Sequence, residues 1–115
     1  MRYMLLICTD ETAEHAQSPD EEAAMMAEYG AFAQEMTDRG VLRGGERLRA
    51  STDATTVRVR DGQVLTTDGP FAETKEQIAG FDILDCADLD EAIEVAAKHP
   101  VARFGKLEVR PFWME

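Results

Sequence analysis

Two short segments of this chain are largely apolar on both parities, and that constrains the fold more than anything else in it. In "YMLLIC" the alternating sets are Tyr3, Leu5 and Ile7 against Met4, Leu6 and Cys8. In "IAGFDIL" they are Ala79, Phe81 and Ile83 against Ile78, Gly80 and Leu84. Successive strand side chains point to opposite faces, so a strand apolar on both belongs to the centre of a sheet that is covered on both sides. A chain of 115 residues supplies one domain and one core.

The remaining elements follow from local chemistry. "RYMLLIC" is the first strand, and the polar "TDETAEHAQ" after it reads as a mobile acidic loop. Ser18 caps a helix that has Pro19 in its first turn, acids at 20 to 22, an apolar stripe at Met25, Tyr29, Phe32 and Met36, and Gly40 at its end. "VLRGGERLRA" is a strand interrupted by a bulge at Gly44-Gly45, and "TTVRVR", Asp61-Gly62 and "QVLTT" spell a hairpin. "IAGFDILDCA" is a further strand. Asp88 caps a second helix through about Lys98, with Leu89, Ile93, Val95 and Ala96 as its apolar residues, and "KLEVRPFWM" is the last strand.

That order predicts a single α+β domain over residues 1–115, a ferredoxin-like split βαβ with a β-hairpin insert and both helices on one face of the sheet. The other face then needs cover. A second copy of the chain, docked sheet to sheet, supplies it in a homodimer with Phe112, Trp113 and Met114 at the interface; the alternative is that the hairpin folds over the face within one chain.

The formal charge of −11 makes direct binding to nucleic acid or to an anionic membrane electrostatically unfavourable. No stretch has the length of a membrane span, and "MRYMLLICTDE" lacks the features of a signal peptide. Cys8 and Cys86 stand alone without ligand or disulfide spacing, so a reduced, cytoplasmic protein is expected. The phosphate-loop, dinucleotide, nucleophile-elbow and zinc-protease motifs are missing, and no cofactor is implied. His15, near Asp10, Glu11 and Glu14, reads as part of a solvated loop rather than a metal site, since nothing there fixes ligand directions.

Four features remain as candidate chemistry. His99 ends a helix, where the dipole favours the imidazolium and holds the ring near its switching point, or where it merely caps carbonyls. Tyr29 lies on an apolar stripe and is either a core aromatic or one with its hydroxyl in a cleft. Arg43, Arg47 and Arg49 share strand parity, as do Arg58 and Arg60, giving a side of the sheet suited to an anionic ligand or to the chain's own acids. Asp68 opens a turn in "DGP" and, with Lys75 and Glu76, could form a polar rim.

The chain resembles the DGPF, or YCII-related, family through "MRYMLLIC", "GVLRGGERL", "TTDGPFAETKEQIAGF", "DLDEAIEVAAKHP" and "GKLEVRPF". That resemblance implies a dimeric α+β barrel. It also implies a histidine and aspartate pair, but Tyr29 and His99 stand at those two positions, which leaves Asp68 as the motif carboxylate to pair with His99. Together with Tyr29 these form the expected catalytic set, with Arg43, Arg47, Arg58 and Lys75 for the ligand. The resemblance further implies a regulatory setting beside an extracytoplasmic-function sigma factor, a possible protein partner.

Overall fold

The computed structural model describes residues 1–113, and of Glu14 and His15 the backbone only. The metal reading of His15 with Glu14 and the docking role of Met114 therefore lie outside the described residues. The elements run β1 (Arg2–Thr9), α1 (Glu11–His15), α2 (Pro19–Asp38), β2 (Leu42–Arg47), β3 (Thr55–Arg60), β4 (Gln63–Asp68), β5 (Gln77–Asp85), α3 (Leu89–Lys98) and β6 (Lys106–Pro111), with short 3₁₀ turns at Ser51–Asp53 and Pro100–Arg103. Four strands form one antiparallel sheet in the order β2-β5-β1-β6, which is the ferredoxin-like arrangement, and β3 and β4 form a separate two-stranded sheet.

Local chemistry sets the ends of α2. The Ser18 side chain accepts the Glu21 N–H at 3.1 Å. At the other end Gly40, at φ 72°, lets its own N–H reach the Thr37 carbonyl and the Val41 N–H reach that of Met36, a two-bond cap that needs a left-handed residue. Asp88 caps α3 by accepting the Glu91 N–H at 2.9 Å. Asp61 and Gly62 both take positive φ, as the two-residue hairpin turn requires.

The core lies between the sheet and the two long helices and is built from Tyr3, Leu5, Phe32, Met36, Val41, Leu84, Cys86, Ala92, Val95 and Ala96. On the far face Met4 sits opposite Ile83, and Leu6 opposite Phe81; all four are only half-buried. The chain is a slab of 48 × 46 × 19 Å, one sheet and one helix layer thick.

Three expectations are corrected here. The acidic loop contains the short helix α1, anchored because the Glu11 carboxylate accepts the Ser51 N–H at 2.7 Å and its hydroxyl at 2.6 Å. On α3 the buried residues are Ala92, Val95 and Ala96, whereas Leu89 and Ile93 lie one helical step to the side and are about half exposed. On α2 the apolar stripe divides: Phe32 and Met36 enter the core, but Met25 and Tyr29 overhang a cavity.

Candidate functional site

That cavity begins as a half-open inner chamber of about 260 Å³ between α2 and the sheet, with Ile7, Thr9, Phe32, Glu46, Asp82, His99 and Val101 among its lining residues. It meets an outer vestibule of about 530 Å³ that reaches the surface beside α1. Met26, Tyr29, Arg47 and Ala79 line both, so they form the neck between the two.

His99 is placed by the end of α3 and by the 3₁₀ turn that follows. It is 5% exposed, packs edge-on against Phe32 with ring centroids 4.8 Å apart, and lies 5.7 Å from the Tyr29 ring. Its Nδ1 accepts the Val101 N–H at 3.1 Å, so the neutral ring carries its proton on Nε2. Burial lowers its pKa to about 4. This corrects the sequence expectation: the ring caps the turn that follows it rather than the carbonyls of α3, and it is held neutral, because desolvation outweighs the pull of the helix dipole on an imidazolium.

Asp82 is the residue that sequence reasoning missed. It sits on β5 with its side chain in the chamber, and among the described residues its carboxylate has neither a hydrogen bond nor an ion pair. Burial raises its pKa to about 6. Room for it comes from the bulge in β2 between Leu42 and Gly44 and from the glycine beyond it. A Cβ at Gly45 would lie 2.3 Å from the Asp82 Oδ1 and 2.5 Å from the Phe81 carbonyl oxygen. The signal was present as a carboxylate in mid-strand facing a glycine pair, but reading it requires the pairing register.

The other expected residues are dispersed. Asp68 is exposed at the end of β4 and lines a different cavity, with Asp10, Lys75 and Gln77, so only Tyr29 and His99 of the expected catalytic set share a chamber. The bulge breaks the arginine parity. Arg43 turns toward Asp85, 3.9 Å away, Arg49 pairs with Asp53, and Arg58 rides on the hairpin. Arg47 alone of the expected ligand-binding residues lines the chamber. The "DGP" loop closes on the hairpin itself: the Gly69 N–H donates to the Ala54 carbonyl, and the Thr56 hydroxyl to that of Gly69.

Among the described residues no helix is long and apolar enough to cross a membrane. A family model described as "YCII-related domain" matches residues 1–114. An uncharacterized protein of Rhizobium meliloti (strain 1021) is 40% identical over 113 residues, covering 96% of this chain and 91% of its own length.

Proposed function

The chain belongs to the YCII-related domain family, and from that premise we propose that it binds a small molecule in the inner chamber and exchanges a proton with it. The unpartnered Asp82 carboxylate carries this reading. A base that titrates near pH 6 is mostly ionised at neutral pH yet strong enough to accept a proton, which is the compromise general-base catalysis favours. In the proposed step a C–H proton beside a ligand carbonyl passes to Asp82. The electron pair left behind is drawn onto a ligand oxygen that accepts a hydrogen bond from the His99 Nε2–H, and a neutral imidazole makes this donation without itself being discharged.

The test is a thermal-shift panel of small neutral and acidic compounds, followed by proton exchange in heavy water. At about 100-fold excess over Kd a binder is expected to add ~2.7 kcal/mol to stability. Wild-type protein should speed deuterium uptake at the ligand's acidic position, and Asp82→Asn should not. A panel that shifts nothing, or uptake that is equal in the two proteins, ends this reading.

The same reading makes the working form a cytoplasmic homodimer. It is supported by free thiols at Cys8 and Cys86, by the half-buried Met4, Leu6, Phe81 and Ile83 on the far face of the sheet, and by a hairpin whose Val57, Val59 and Val64 are exposed. Light scattering at micromolar concentration should give twice the 12.8 kDa chain mass. A mass near 12.8 kDa would rule the dimer out.

A further inference from the structure

Besides Asp82, His99, Tyr29 and the exposed Glu46, two polar side chains line the chamber. Thr9 is 1% exposed, and its hydroxyl is buried without a hydrogen-bond partner among the described residues. A buried hydroxyl left without a partner costs the fold stability unless something else bonds to it. Arg47 stands at the neck, and its guanidinium makes no ion pair among the described residues, although Arg39, Arg43, Arg49 and Arg103 each find a carboxylate on this acidic chain. One of its N–H groups donates to the Met26 sulfur at 3.6 Å. The same lining includes apolar Ile7, Phe32 and Val101.

Resting on the chamber reading above, we infer that the ligand is a small organic monoacid: its carboxylate pairs with Arg47, its apolar middle lies against Phe32, and its inner end bears an uncharged hydroxyl or carbonyl oxygen that bonds to Thr9. A guanidinium takes a carboxylate bidentately. A threonine hydroxyl can donate or accept, so it suits either inner oxygen. A second carboxylate at the inner end would face ionised Asp82 in a poorly solvated space, and that disfavours diacids. The chamber's volume, just below the usual range for ligand pockets, restricts the compound to one short chain or one ring.

Four matched probes test this by NMR titration at pH 7.5: 4-hydroxybenzoate, benzoate, phenol and benzene-1,4-dicarboxylate. 4-Hydroxybenzoate should bind about tenfold tighter than benzoate or phenol, and the dicarboxylate should not bind. Arg47→Met should reduce 4-hydroxybenzoate to the level of phenol. Thr9→Val should reduce it to that of benzoate while melting no lower than wild type, since the substitution removes an unpaired hydroxyl. Phenol binding as tightly as 4-hydroxybenzoate overturns the acid class. So does a result in which none of the four binds while neutral compounds of the wider panel do, and there the chamber reading survives.

Discussion

Gly45→Ala is expected to destabilise the protein by about 3 kcal/mol and to lower its melting temperature by on the order of 10 °C, whereas Gly44→Ala should change it by less than about 1 kcal/mol. The two glycines are neighbours just past one bulge, yet their surroundings differ. A methyl group at Gly44 meets nothing within 4 Å, but at Gly45 it would overlap both the Asp82 carboxylate and the Phe81 carbonyl of the adjacent strand. The side-chain overlap can be relieved by rotation; the backbone one cannot without moving β2 away from β5. Adding Asp82→Ala to Gly45→Ala should therefore recover only part of the loss, as a double-mutant cycle would measure. Equal melting of the two alanine variants would show that the close approach at Gly45 does not govern this strand pair.

Asp82→Asn is expected to act in the opposite direction, stabilising the protein by roughly 1–2 kcal/mol at pH 7.5 while abolishing proton exchange. A rise from the ordinary 3.8 to about 6 sets an upper bound of ~3 kcal/mol, and partial solvent access reduces it. Between about pH 4 and 6 the native protein holds this proton when the unfolded chain has released it. The Asp82 contribution is therefore fully present below pH 4 and is lost as the pH rises through 6. The gap between variant and wild type should be near zero at pH 4, open through pH 6 and stay constant above. His99 works the other way: its pKa falls from 6.5 to about 4, so the unfolded chain binds the extra proton, and its contribution is complete above 6.5 and lost as the pH falls toward 4. In wild type the two slopes largely offset each other, and Asp82→Asn leaves that of His99 unopposed. Urea melts of both proteins at pH 4, 5, 6 and 7.5 check this; a gap that does not vary with pH would show that burial has not shifted Asp82.

What the sequence disclosed and what it withheld divide along the range of the interactions involved. Ser18, Asp88, Gly40 and the Asp61-Gly62 turn were legible because each is satisfied by backbone within a few residues. Helix α1 was not, because the carboxylate of Glu11 is held by Ser51, forty residues away. At the site, Tyr29 and His99 could be singled out as a polar aromatic on an apolar stripe and a histidine at a helix end. Asp82 could not, since its position depends on how β2 registers against β5, and that register slips at the bulge. The same slip defeated the parity argument for Arg43, which counted alternation straight through it. Asp68 drew notice because its motif is conspicuous, but it stands exposed at the end of β4 in a cavity apart from Tyr29 and His99.

The hairpin of β3 and β4 has a consequence for how the chain divides its labour. Every residue of β4 is exposed, and the only half-buried residue of β3 is Thr56. An isolated strand pair is marginally stable, and one that adds little to the core opens without taking the core with it. Within the chain the hairpin is thus a separate cooperative unit, and hydrogen exchange of its amides should be fast where those of β1 and β5 are slow. Its side chains can change with little effect on the packing around Asp82 and His99. One chain in this way joins a close-packed strand pair where a single methyl group is felt to an arm free to drift, and divergence in sequence is expected at the tip near Arg60 before it reaches β1 and β5.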